Sequence, residues 1–138
     1  NIYNTKWPGR IEKVKYKKKY IIFDGSHNLA GADKLNQFLK GNNIRPNVIF
    51  GMLNNKKAFE FLSILKKNID TLYPIKIPDE KNAYTQKEIY NISKELNLDT
   101  VIKKNLSNIN ELLMNSSNKY ILITGSLYLI GKIRKNYL

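Results

Sequence analysis

Apolar residues along the chain gather into short unbroken runs, and the segments between those runs carry apolar residues at helical spacing. Tyr20–Asp24 reads Tyr-Ile-Ile-Phe-Asp, Asn47–Met52 reads Asn-Val-Ile-Phe-Gly-Met, and Lys119–Thr124 reads Lys-Tyr-Ile-Leu-Ile-Thr. A strand covered on both faces is continuously apolar, whereas a half-exposed strand alternates. These three runs therefore predict buried parallel strands. Ile11–Tyr16 alternates and predicts an edge strand, Ile69–Ile77 predicts a further strand, and Asp99–Lys103 a short one. Asn28–Leu39 places Leu29, Ala32, Leu35 and Leu39 on one helical face, with Gly41 as its stop. Ala58–Lys66 does the same with Phe59, Leu62 and Leu65, and Gln86–Leu96 with Ile89, Ile92 and Leu96. Ser107 or Asn108 caps a helix running through Leu113, and Leu127–Lys135 closes the chain as another. Strands alternating with helices of about ten residues indicate an α/β fold. The expected architecture is one domain over residues 1–138, a mainly parallel, mixed sheet with helices on both faces.

In such a sheet the loops that follow the strands share one rim, where ligands bind. Three of them are polar: Asp24–Asn28, Asn54–Lys57 and Thr124–Ser126. Asp24, His27 and Asn28 are expected to point into a cleft, beside helix N-terminal amides that favour anions. The plainer reading is that Asp24 or Ser26 merely caps the next helix. Arg10 follows the Pro8-Gly9 turn and offers a guanidinium fork suited to phosphate oxygens; alternatively it is a surface arginine packed on Trp7.

Composition narrows the chemistry. The 138 residues are 42% hydrophobic, enough for a real core, and contain no cysteine and one histidine, so disulfides, thiolate sites and multi-histidine metal clusters are excluded. The apolar run Tyr120–Ile133 is broken by Thr124, Gly125 and Ser126, so no membrane-spanning segment is expected. A net charge of +13 would suggest nucleic acid, but only Arg10, Arg45 and Arg134 among the 24 basic residues are arginine. Lysines scattered over four of the five predicted helices, beside abundant asparagine and isoleucine, fit a biased genome composition as well as a binding face. The chain begins at Asn1 without methionine, as expected of a piece of a longer protein. It contains neither GxGxxG nor GxxxxGK[ST], so the phosphates of any bound nucleotide must be held mainly by other elements.

Four segments in order, Trp7-Pro-Gly-Arg10, Asp24-Gly-Ser-His-Asn28, Phe50-Gly-Met-Leu53 with Lys56, and Thr124-Gly-Ser-Leu-Tyr-Leu-Ile-Gly131, resemble the C-terminal domain of folylpolyglutamate synthase and dihydrofolate synthase, in the Mur ligase family. The chain departs from that family's pattern at Ser26, where alanine is usual, at Leu29, where proline is, and at Asn55 and Lys57, where acidic residues are common. The resemblance implies a Rossmann-like lobe that closes over ATP held by a central ATPase domain of the same protein. The implied reaction joins L-glutamate to dihydropteroate or a folate through an acyl phosphate, with Mg2+ held by the central domain. It further implies that Arg10 contacts the ATP phosphates and that Asp24 bonds the ribose or orients the nucleotide. His27, Ser126 and Lys56 would bind glutamate, with Arg10 and His27 the groups nearest the chemistry. A monomeric cytoplasmic enzyme is expected, with no nucleic-acid or membrane partner, and the 138-residue piece alone is expected to be inactive. The alternatives are another Mur-type amino-acid ligase and a non-catalytic basic nucleic-acid-binding module.

Overall fold

Residues 3–6, 11–104 and 109–135 are described by the structure, a computed structural model. The apolar runs become strands β3 (Lys19–Asp24), β4 (Asn47–Phe50) and β6 (Tyr120–Thr124), which lie side by side and parallel in the centre of the sheet. Two short strands precede them, β1 (Tyr3–Lys6) and β2 (Glu12–Tyr16), and β5 is Leu72–Pro74. The sheet has six strands in the order β1-β2-β3-β6-β4-β5. β1, β2 and β3 pair antiparallel, and β3, β6, β4 and β5 pair parallel. The sheet is thus mixed and mainly parallel, as the sequence predicts.

Helices α1 (Leu29–Gly41), α2 (Ala58–Leu65) and α3 (Gln86–Glu95) cover one face. Ala32, Leu35 and Leu39 of α1, and Phe61, Leu62 and Leu65 of α2, pack there with Ile22, Val48, Phe50 and Leu122 of the strands. On the other face α4 (Ile109–Asn115) and α5 (Leu127–Arg134) contribute Leu112, Leu129 and Ile133 against Val14, Ile21, Phe23, Ile49, Ile121 and Ile123. Alternate residues of β3, β4 and β6 thus enter opposite cores, which is why Ile21–Phe23, Val48–Phe50 and Ile121–Ile123 are unbroken apolar runs. Across the second core, Arg134 at the end of α5 donates two hydrogen bonds to the buried carboxylate of Glu12, at 2.7 and 2.8 Å. This bidentate contact raises the Arg134 pKa above its ordinary value.

Several expectations are corrected. Ile11–Tyr16 is not an edge strand, because β1 pairs along its outer side from Tyr3↔Lys15 to Lys6↔Glu12. Phe59 is 41% exposed and Phe61 is buried in its place. With α2 starting at Ala58, the inward face is positions 58, 61, 62 and 65, which leaves Phe59 about a third of a turn away. The strand expected over Ile69–Ile77 is only Leu72–Pro74; its register with β4 runs from Val48↔Leu72 to Phe50↔Pro74, and beyond it the Ile75 amide still donates to the Phe50 carbonyl at 2.9 Å. Asp99–Lys103 forms a single parallel bridge, Leu72↔Thr100, with Val101 and Ile102 left exposed. Gly41 is the last residue of α1, and the left-handed residue beyond it is Asn43, at φ 54°. Ser107 and Asn108 lie outside the described residues.

Candidate functional site

The register fixes the rim. Asp24, Thr124 and Phe50 are mutual neighbours at the ends of β3, β6 and β4, and each is followed by a glycine. Gly25, Gly125 and Gly51 therefore form a row across the three central strands. Gly125 has φ +112°, and a Cβ there would lie 2.1 Å from the Gly51 carbonyl oxygen. A Cβ on Gly25 would lie 2.3 Å from Leu127 Cδ2, and one on Gly51 would lie 2.9 Å from the Ile75 carbonyl oxygen. Real Cβ contacts do not come so close, and at Gly125 and Gly51 the opposing atom is main chain, so these two must be bare backbone; at Gly25 it is the end of the exposed Leu127 side chain, which can turn aside. The close approach brings the loop after β3, the loop after β4 and the start of α5 around one opening.

That opening is a cleft of about 420 Å³ lined by His27, Leu53, Lys56, Gly125, Ser126, Leu127 and Tyr128. A second recess of about 300 Å³ is lined by His27, Asn28, Leu29, Asn55, Lys56 and Lys57. His27 and Lys56 belong to both, so the two spaces adjoin along that pair. The larger space has apolar walls in Leu53, Leu127 and Tyr128, the last two 54% and 58% exposed. The smaller is polar, with lysines on one side and the start of α1 on the other. A ligand with an apolar part and an anionic part would match this division of chemistry.

The residues singled out in the sequence fall into three groups. His27 and Lys56 face the cleft together, although they lie on loops after different strands. The Nδ1 atom of His27 lies 3.2 Å from the Gly25 carbonyl oxygen, which orients the ring. Ser126 also lines the cleft but is 3% exposed, and its Oγ caps α5 by accepting from the backbone amides of Tyr128 at 3.1 Å and Leu129 at 3.5 Å. Its acceptor capacity is largely engaged by the helix, which leaves the hydroxyl proton for another group.

Asp24 does not point into the cleft. It is 1% exposed, and its Oδ1 accepts from Ser26 Oγ at 3.1 Å. The side chain of a last strand residue belongs to one sheet face, and in Asp24 that face is the α1–α2 side, the side of Ile22. Beside it in register is Thr124, fully buried, whose Oγ1 has no hydrogen-bond partner among the described residues. Neither Asp24 nor Ser26 caps the first helix. Asn28 does, accepting from the Gly31 amide at 2.8 Å, and it lines the smaller recess. Arg10 lies outside the described residues.

Leu53, Leu127 and Tyr128 were not foreseen as part of the site. Leu127 and Tyr128 read as helix residues, and the available signal was their place in the first turn after Gly125-Ser126, where side chains project over the rim. Among the described residues, no group of three or more histidine, cysteine, aspartate or glutamate side chains could hold a metal ion. No helix among them is long and apolar enough to cross a membrane.

The chain is similar to known proteins over nearly all of its length. The dihydrofolate synthase/folylpolyglutamate synthase of Bacillus subtilis is 34% identical over 136 residues, covering 94% of this chain and 30% of that protein. The folylpolyglutamate synthase of Lacticaseibacillus casei is 28% identical over 133 residues, 96% of this chain and 30% of that protein. The chain thus spans about a third of the length of these curated relatives. Among solved structures, the folylpolyglutamate synthase of Thermotoga maritima superposes with TM-score 0.80 at 22% identity, over 96% of this chain and 31% of that one. Escherichia coli FolC in complex with DHPP and ADP does so with TM-score 0.73 at 20% identity, over 88% of this chain and 29% of that one. These structural likenesses show the shared fold. The family model for the C-terminal domain of dihydrofolate synthetase matches residues 9–136, and this chain belongs to that family.

Proposed function

We propose that this chain is the C-terminal lobe of an ATP-dependent ligase that joins L-glutamate to dihydropteroate or a folate. In that reaction the pterin-linked carboxylate becomes an acyl phosphate with release of ADP. The amino group of L-glutamate then attacks the acyl carbon, phosphate leaves, and an amide remains. The observation that carries the reading is the convergence of His27 and Lys56 at one cleft on the rim, in a chain of this family.

The Lys56 ammonium, half-buried between the two recesses, is suited to a glutamate carboxylate. His27, oriented by the Gly25 carbonyl, hydrogen-bonds the same anionic amino acid or accepts a proton from its ammonium. Ser126 holds the start of α5 in place and offers its hydroxyl proton to the ligand. Asp24, beneath the floor, orients the nucleotide by fixing the turn that carries His27, and Arg10 reaches the ATP phosphates, where a guanidinium offsets charge on the transferring group. The carboxylates that hold Mg2+ belong to the central ATPase domain, as does the phosphate-binding loop, and the lobe acts by closing upon that domain. The assembled protein is a monomer of the cytoplasm.

The test is steady-state kinetics of the full-length protein, following glutamate-dependent ADP release. Lys56→Ala is expected to raise the KM for L-glutamate about tenfold to a hundredfold, the loss of one charge-assisted hydrogen bond of about 1.5–3 kcal/mol. An unchanged KM for glutamate would remove Lys56 from the substrate site, and absence of glutamate-dependent turnover in the unsubstituted protein would overturn the function.

A further inference from the structure

The loop that carries Lys56 leads into α2, and α2 begins without a side-chain cap: Lys57 occupies the N-cap position and makes no capping hydrogen bond. Something else must hold this entry, because a helix start leaves several amides unsatisfied and its approach angle loose. The hold comes from a segment some 28 residues later. Tyr84 donates its hydroxyl proton to the Lys56 carbonyl oxygen at 2.5 Å, an oxygen that the Ala58 amide also reaches at 3.2 Å.

Tyr84 is itself fixed at both ends. Its backbone amide donates to the Met52 carbonyl at 2.9 Å, the Asn54 amide donates to the Asn82 carbonyl at 2.7 Å, and Leu53 and Ala83 pair between them as an antiparallel bridge. Its ring packs against the core shared by α1, α2 and α3. The next residue, Thr85, is the N-cap of α3 and forms a capping box with Glu88, at 3.1 Å and 2.9 Å. The tyrosine is a rigid strut between the start of α3 and the cleft lysine.

We propose that Tyr84 is a positioning residue for the substrate site: its hydroxyl sets the main chain of Lys56 and thereby aims the ammonium at the boundary between the two recesses. The inference rests on the proposed role of Lys56 toward glutamate. Tyr84 does not line either recess, so its effect passes through Lys56. Tyr84→Phe removes one hydroxyl and keeps the ring in its packing, which makes it the appropriate perturbation. The loss of one neutral hydrogen bond corresponds to roughly a fivefold effect.

The experiment is a double-mutant cycle in the full-length protein, with Tyr84→Phe, Lys56→Ala and the pair, reading KM for L-glutamate, KM for ATP and kcat separately. Tyr84→Phe alone is expected to raise the KM for glutamate about fivefold, with kcat and the KM for ATP within about twofold of the parent. In the Lys56→Ala background the same substitution is expected to have no further effect on that KM. A purely structural tyrosine would lower the melting temperature without this split. If Lys56→Ala raises the KM and Tyr84→Phe does not, or raises it equally in both backgrounds, the positioning role is overturned while the role of Lys56 stands. If Lys56→Ala itself leaves the KM unchanged, the reading of Lys56 falls and the strut has no substrate role.

Discussion

Replacing Gly125 by alanine is the most direct test of how the rim is built. Two independent costs arise. The backbone at φ +112° is a conformation that side-chain-bearing residues rarely adopt, worth about 1–3 kcal/mol. The new methyl would also start 2.1 Å from the Gly51 carbonyl oxygen and 3.0 Å from Phe50 Cε1. Relief needs a shift of roughly an ångström, and the oxygen belongs to main chain rather than to a side chain that can turn aside. Gly51 has little room to yield, because its own Cβ position is 2.9 Å from the Ile75 carbonyl oxygen on the far side, and its amide donates to Thr124 at 3.3 Å. Forced overpacking of this kind costs about 1–3 kcal/mol. The stiffer unfolded chain returns about 0.4–1 kcal/mol, leaving a net loss of about 1–5.5 kcal/mol, centred near 3. Against a domain stability of about 5–15 kcal/mol this is a large fraction. Equilibrium urea unfolding should show it as a midpoint lowered by about 1 M or more. Gly41→Ala is the control: it lies in the last turn of α1 with nothing within 4 Å of its Cβ position, and should be neutral or stabilising by up to about 1 kcal/mol. A Gly125→Ala loss below about 1 kcal/mol, or one equal to that of the control, would refute the close approach of β4 and β6 on which the cleft floor depends.

Two further outcomes follow from the packing. Phe61→Ala should destabilise by about 3–5 kcal/mol and Phe59→Ala by less than about 1 kcal/mol in the same unfolding assay, and the reverse order would place the wrong face of α2 inward. Arg134→Ala should cost about 1–2 kcal/mol, a figure reduced for the 38% exposure of the guanidinium although the Glu12 side chain is only 9% exposed; Arg134→Lys should recover only part of it, since an ammonium lacks the fork.

The sheet core and the class of fold were legible because burial on both faces leaves an unambiguous mark: β3, β4 and β6 are unbroken apolar runs. The rim was legible for a related reason, since a polar residue ends β3 and β6 and a glycine follows all three strands. Other features depend on information that periodicity does not carry. Phe59 and Phe61 are two residues apart and both apolar, and only the true start of α2 decides which faces inward. β1 and β2 are consecutive and separated only by residues 7–11, but Tyr3–Lys6 reads Tyr-Asn-Thr-Lys and has no apolar run or alternation to mark it as a strand. Asp24 was expected in the cleft because it stands in a polar turn on the ligand-binding rim of the sheet, yet its place as the last residue of β3 directs it to the covered side of the sheet, where Ser26 bonds it. His27 and Lys56 were found by residue type and loop position. Tyr84 was not, since its contribution is a single bond to a carbonyl far away in the chain.

The row of glycines at the strand ends has a consequence for how such a pocket can diversify. Because Gly125, in the cleft, abuts the Gly51 carbonyl and Gly51 abuts the Ile75 carbonyl, amino-acid exchange at these two positions is all but closed. Ligand preference must therefore be rewritten from the surrounding wall, at His27, Leu53, Lys56, Leu127 and Tyr128, where a replacement alters shape or charge without disturbing the join between strands.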